Sequence, residues 1–389
     1  MTSPLRYGGI MLPAENVDLN KFATVACDQF TSDAAYWKKL DGLIGKSPSA
    51  LRITYPEIFL NDEPEKRIAA ISETMRKYLE SGVFRDISAG AVVVDRSTPY
   101  TKSRLGLVAA VDLDAYTTDG ESAVRATEAV VKERVPPRVE IRRGCPLELP
   151  HVMLLCEDRE GILVEAAYKN RGKKLYDFEL NMNGGHVRGY EATDVDAVEK
   201  AVQRLAEISE QRYKKQFLFA VGDGNHSLAA AKALYGQAPN GKNNCALVEI
   251  VNVCGSGVVF HPIHRLAQVK DPADFIKYMQ SKTRSLPRRA ALVNDGCEYA
   301  YNLPSDAVDG VELVQRLVDE YDCESIDYIH GDEQLKMLSV GGKVGVGLYA
   351  PDKNGLFAAV AKRGRLPKKT FSIGEGEEKR YYLEAKRIV

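Results

Sequence analysis

Neither sign of charge dominates this 389-residue chain: 53 basic residues stand against 54 acidic ones, a formal net charge of −1. A dedicated duplex-DNA binder carries a strong basic excess, so that class is set aside, while a local basic patch for a small anion is not. Cysteine is present but unorganised. The seven cysteines, at 27, 145, 156, 245, 254, 297 and 323, form no Cys-x-x-Cys pair, which argues against a zinc ribbon and a disulfide framework. Cys156 and Cys245 lie in apolar runs and read as small buried hydrophobes. No apolar stretch approaches the length of a membrane span, and the opening Met-Thr-Ser-Pro-Leu-Arg-Tyr lacks a signal-peptide core, so a cytoplasmic location is expected. A Walker-type phosphate loop is missing as well, because the glycines around Lys343 fall in an expected hairpin and not ahead of a helix. Repeats, heptads and low-complexity tracts are absent from the sequence.

What is present is the make-up of an ordinary globular protein, 44% hydrophobic and 28% charged. The length exceeds what one core usually serves, so a main α/β domain over 1–260 and a C-terminal α/β unit over 261–389 are expected. Ile68, Ile71, Met75, Tyr78 and Leu79 repeat at helical spacing and predict a helix over 65–80. Strands are expected at 91–94 and 106–113, and Pro136-Pro137 to break any helix in the polar stretch 114–143. A hairpin is expected from 151–156 and 161–168 across an acidic turn. Thr193 is placed as the cap of a helix with Val195, Val198, Val202, Leu205 and Ile208 on one face. The apolar run 217–221 then enters Gly-Asp-Gly-Asn-His, followed by helix-forming 227–235 and a strand over 245–253. That succession predicts an α/β layer with a glycine-bearing turn at the carboxyl end of a strand. Beyond it, helices are expected over 271–282 and 308–322, and a second hairpin from 343–348 and 355–361.

The strongest chemical signal is that turn, Gly222-Asp223-Gly224-Asn225-His226-Ser227. Its glycines permit positive φ and close approach to a ligand, and the free N–H groups of the following helix suit an anion. A carboxylate, an amide, an imidazole and a hydroxyl lie within six residues, the parts that phosphoryl transfer or hydrolysis requires. The structural alternative is a tight turn in which Asp223 or Asn225 caps the helix. A second group is basic: Arg104 upstream, then Arg138 and Arg142, expected on one side of an extended strand where they could clamp a phosphate. Their alternative is a solvated face paired with glutamates. Asp28 and Glu57 are candidate acids or bases near the N-terminus. His261-Pro-Ile-His264-Arg265 resembles a metal motif only superficially, and no metal ligands are assigned.

The turn, the segments Ala26–Phe30 and Val135–Arg142, His261–Arg265 and the ending Glu377–Glu384 together resemble the 1015 family of domains of unknown function over almost the whole chain. More distantly, the Asp-Gly-Asn-His turn resembles the Asp-Gly-(His/Asn)-His-Arg signature of the ParB/sulfiredoxin superfamily, which includes sulfiredoxins, chromosome-partitioning proteins and free-serine kinases. The resemblance implies a ParB/sulfiredoxin-like core with large α/β elaborations. It also implies Asp223 as the catalytic carboxylate, with His226, Asn225, Gly222, Gly224 and Ser227 holding nucleotide phosphates. The chain departs from that signature at Ser227, where arginine is common, so Arg104, Arg138 or Arg142 would supply the missing contact. The family's habitual gene company implies a link with serine biosynthesis.

The resulting expectation is a phosphotransferase on a small hydroxy-amino acid such as serine, using ATP or ADP with Mg²⁺, in either direction. Asp223 or Glu57 would accept the hydroxyl proton, and Asp28, Gln29, Arg52, His264 and Arg265 are the candidate substrate contacts. A nucleotide or phosphoester hydrolase and a nucleotide-responsive regulatory module are the alternatives. The expected partners are small molecules, with self-association left open.

Overall fold

A computed structural model of the chain describes residues 3–26, 30, 33–59 and 63–389. It is mixed α/β. The chain divides into two units, one holding residues up to Val258 together with Gly374–Val389, the other Val259–Ile373. This differs from the expected division in the tail. Gly374–Val389 returns to the first unit, where Tyr381, Leu383 and Ala385 are fully buried in a core with Ile10, Phe22 and Val92.

The first unit is organised by one mixed sheet. Its order is Lys174–Leu180, Gly185–Glu191, Val92–Ser97, Arg104–Asp112, Cys245–Asn252, Met153–Cys156, Phe219–Asp223, Val124–Ala126 and Tyr116–Thr117. The central strands bury both faces. Val93, Leu107, Ala109 and Val248 point to one core, whereas Val92, Val94, Val108 and Leu247 point to the other, the alternation that pleated backbone imposes. The helix Val195–Tyr213 covers the first face through Val198, Val202 and Leu205, and Pro64–Glu80 covers the second through Ile71 and Met75.

Met153–Cys156 runs parallel to Cys245–Asn252 and antiparallel to Phe219–Asp223, with Met153 opposite Asp223. The expected hairpin over 151–168 is therefore not formed. Its second arm is the helix Val164–Lys169, reached by a turn in which the buried Asp158 carboxylate accepts the Leu163 N–H at 2.8 Å. A short apolar run cannot be told from a helix by periodicity alone. The expected break at Pro136-Pro137 is also overturned. Both prolines occupy the first turn of the helix Val135–Arg143, where a missing N–H costs nothing. Arg138 and Arg142 consequently lie one helical turn apart and not along a strand. Asp194, not Thr193, caps Val195–Tyr213, accepting the Ala197 N–H at 2.8 Å.

In the second unit the strand Phe260–Gln268 pairs with Ser325–His330, Lys343–Val346 and Phe371–Ile373. Lys343–Val346 also pairs with Arg288–Asn294, which turns through Asp295-Gly296, both at positive φ, into Cys297–Leu303. The helices Pro272–Thr283 and Ala307–Glu320 pack Phe275, Met279, Val311 and Val314 on it. Leu356–Arg363 is a helix, so the second expected hairpin is absent; Asp352 turns the chain by accepting the Asn354 N–H at 3.0 Å.

Buried guanidinium groups fasten the returning tail. Arg380, with none of its side chain exposed, places Nε 2.7 Å from Glu249 Oε2, close but poorly aligned for a hydrogen bond, and donates Nη2 to Glu384. Its face covers the Tyr381 ring at 4.0 Å. Removing one member of a buried ion cluster leaves uncompensated charge, so Arg380→Met is expected to cost about 3–5 kcal/mol in urea unfolding. A loss under about 1 kcal/mol, the level of a surface pair, would contradict the role assigned to it.

Candidate active site

The strand Phe219–Asp223 ends because Gly224 stands at φ +85°, and a Cβ there would lie 3.0 Å from the Val152 Cα. Glycine is thus required both for the turn and for the close passage of the neighbouring strand. The helix Asn225–Gln237 begins immediately, with Gly224 at its cap position and so no capping side chain there. Asp223 is not its cap: Oδ1 accepts the Gly224 N–H at 2.8 Å, and Oδ2 faces the Lys379 ammonium at 3.2 Å. With glycine at the cap position, no N-cap side chain covers the start of the helix, the end that suits an anion. Asn225 Oδ1 is buried without a hydrogen-bond partner among the described residues, and Ser227 lies half-buried in the same turn.

Two further groups reach the turn from distant sequence. Because Met153 lies opposite Asp223, His151 just ahead of it falls at the same end of the sheet. Burial lowers the His151 pKa; Asp223 pulls it up, Arg138 lowers it further and Glu57 raises it, with burial prevailing. A neutral ring follows at neutral pH, with Tyr382 against it at a centroid distance of 5.6 Å. Arg138 is ion-paired with Glu57 and donates to the Arg134 carbonyl at 3.0 Å. The helix carrying Arg138 is set by packing of Val139 on Ala230 and Leu234 of the Asn225–Gln237 helix. The structure thus brings Asp223, Lys379, His151, Glu57 and Arg138 into one electrostatic neighbourhood. For Asp223, burial works to raise the pKa, but Lys379, His151 and the Gly224 N–H outweigh it and hold the carboxyl below its ordinary range.

The other expected site residues are placed differently. His226 Nε2 accepts the Val131 N–H at 3.1 Å, so this nitrogen steadies the segment leading to Arg138. Arg104 is buried, with Nη1 donating to the Glu378 carbonyl at 2.8 Å. Arg142 is ion-paired with Glu148, whose other oxygen accepts the Leu247 N–H at 2.9 Å. Arg52 pairs with Asp41 at 2.5 Å and donates to the Gly45 carbonyl at 3.0 Å. Arg104, Arg142 and Arg52 are thus each engaged with protein groups. His264 and Arg265 lie in the second unit and are buried. There His264 Nδ1 accepts the Leu348 N–H at 3.0 Å, and Arg265 donates to the Gln315 amide oxygen at 3.1 Å and the Ile263 carbonyl at 2.7 Å. Asp28 and Gln29 lie outside the described residues. Sequence reasoning missed Lys379 and His151. Lys379 stood in a segment already singled out, but no local spacing ties either residue to the turn.

A family model described as a protein of unknown function, DUF1015, matches residues 9–385. The chain belongs to the DUF1015 family. Among solved structures, this DUF1015 chain is similar to a conserved hypothetical protein from Pyrococcus furiosus at 14% identity and a TM-score of 0.37, covering 71% of this chain and 94% of that one. It is likewise similar to a free serine kinase variant in complex with ADP, at 14% identity and a TM-score of 0.39, covering 72% and 92%. SbnI from Staphylococcus aureus, with a C-terminal truncation, aligns at 12% identity and a TM-score of 0.38, covering 69% and 82%. No curated protein matches.

The depressed Asp223 carboxyl makes a pH prediction. A carboxyl whose folded pKa lies below its unfolded one, about 3.9, stabilises the fold above that value and ceases to as pH falls through the folded pKa. Wild type is therefore expected to exceed Asp223→Asn in urea midpoint at neutral pH, with the gap closing in acid. A gap that stays constant with pH would show that the Asp223 charge is not what stabilises the turn.

Proposed function

We propose that this protein is a nucleotide-dependent phosphotransferase acting on a small hydroxy-amino acid, with serine or phosphoserine as the leading substrate. One observation carries the reading: an uncapped helix N-terminus adjoins a carboxylate that is itself paired with a lysine, beside a neutral histidine and the Glu57–Arg138 pair. Phosphoryl transfer asks for positioning and charge neutralisation more than for covalent participation, and those are the resources gathered here. The choice of serine rests on the resemblance of the turn and of the family, not on geometry.

The residues present fit a nucleotide phosphate. Glycine at the cap position leaves no N-cap side chain over the start of the helix, and the buried Asn225 Oδ1, without a partner among the described residues, would accept from a ligand hydroxyl or a bound water. Mg²⁺ would arrive on the nucleotide phosphates and supply neutralisation of their charge, without a dedicated protein cage. In the forward direction the serine Oγ forms a bond to the γ-phosphorus, the bond to the β,γ-bridging oxygen breaks, and the nucleoside diphosphate leaves. Asp223, ionised at neutral pH, orients the hydroxyl and takes its proton late, when the oxygen has become acidic. Glu57 and Arg138 hold the substrate's ammonium and carboxylate, and Gly222, Ser227 and His226 shape the phosphate end.

Phosphorus NMR of the protein with Mg²⁺, L-serine and either ATP or ADP tests the reading. A phosphoserine resonance is expected with wild type, and Asp223→Asn is expected to lower its rate of appearance by about 10²-fold or more, the scale of a lost acid–base group. Nucleotide consumption without phosphoserine would replace the transferase by a hydrolase. Bound nucleotide with no turnover would replace it by a regulatory module.

A further inference from the structure

The tail residue Lys379 faces the Asp223 carboxylate at 3.2 Å, and the surrounding fold fixes its backbone. The strand Tyr381–Tyr382 pairs with Thr24–Val25, and the Arg380 carbonyl accepts the Ala26 N–H at 2.8 Å. On the other side Arg96 and Arg104, directly opposite each other on adjacent strands, are both buried. Neither is ion-paired among the described residues. Arg96 spends its donors on carbonyls: Gly184 at 2.8 Å, Glu378 at 3.2 Å, Lys379 at 2.6 Å and also Glu377. Arg104 donates to Glu378 at 2.8 Å. Placing two guanidinium groups side by side in the interior is costly. Burial together with Arg104 lowers the Arg96 pKa to about 9. The result is a fixed backbone at 377–379, which sets the Lys379 ammonium 3.2 Å from the Asp223 carboxylate, one residue ahead of the Gly224 that opens the helix Asn225–Gln237.

Resting on the phosphotransferase reading, we propose that Lys379 is the phosphate-binding cation of the site and that Asp223 is only its resting partner. The Lys379 side chain is 12% exposed, so the ammonium faces the turn and not bulk water. A lysine has a flexible stem and three donors, and a short rotation passes the charge from one anion to another. When a phosphate settles on the uncapped helix end, it offers more negative charge than the carboxylate, and the ammonium goes to it. Asp223 then loses the cation that suppressed its basicity and is left to serve the substrate hydroxyl. Arg96 and Arg104 are positioning residues, acting through the backbone of the tail. Arrival of the nucleotide thereby prepares the base, which ties proton acceptance to a loaded site.

Calorimetry with MgADP and with adenosine, on wild type, Lys379→Met and Lys379→Arg, separates the possibilities. Wild type is expected to bind MgADP, and Lys379→Met to bind it at least about tenfold more weakly, the scale of a lost charge-assisted hydrogen bond. Adenosine affinity is expected to be unchanged, and Lys379→Arg to lie closer to wild type than Lys379→Met. Equal MgADP affinity in wild type and Lys379→Met would overturn the assignment while leaving the phosphotransferase reading to the phosphoserine assay. A proportionate loss of adenosine would also overturn it, since the defect would then be general. MgADP binding with the expected lysine dependence, but no phosphoserine, would keep Lys379 as the phosphate contact and sink the transferase. Failure of wild type to bind MgADP at all would remove both.

Discussion

A carbonyl-gripping arginine is an expensive way to hold a peptide segment, because the guanidinium surrenders water without gaining a counter-ion. Arg96 and Arg104 do this for residues 377–379, and Arg380 adds an ion cluster with Glu249 and Glu384 one residue further on. The chain leaves the first unit after Val258 and comes back at Gly374 to complete a core and deliver Lys379. The carboxylate at the glycine turn, the charge around it and the access of its helix end all depend on that return.

Opposite charges meet around Asp223. Among the described residues Asp223 faces Lys379 and Glu57 pairs with Arg138, while burial keeps the nearby His151 neutral. In the proposed reading, an arriving phosphate would add negative charge where the positive end of the helix lies. Charge must then be redistributed among side chains already present.

The turn itself was legible in the sequence because strand, glycine, carboxylate and helix follow one another without interruption. Helices with a clear apolar face, such as Pro64–Glu80 and Ala307–Glu320, were legible for the same reason. Pro136-Pro137 misled because proline stops a helix in its interior but opens one in its first turn. The run at 161–168 misled because short apolar segments fit a strand and a helix equally well, and Asp295-Gly296, a hairpin signal, was passed over. His151 and Lys379 were beyond reach for a different reason. One reaches Asp223 through strand register and the other through a chain return of more than a hundred residues, and neither leaves a local pattern. Arginine was the opposite case: the basic residues were visible, but sequence gave no means of separating Arg138, which sits beside His151, from Arg104 and Arg142, which hold the fold together.

The central claim is that a lysine carried by the returning tail sets the charge state of the carboxylate at the turn. Carbon-13 NMR titration of the Asp223 side chain in the free protein, for wild type and Lys379→Met, measures this without any ligand or turnover. The account predicts that Asp223 titrates below the ordinary aspartate value in wild type and moves upward in the variant, where burial is opposed by one cation fewer. The same titration in both proteins would contradict it, and the tail would then be a structural closure with no hold over the turn.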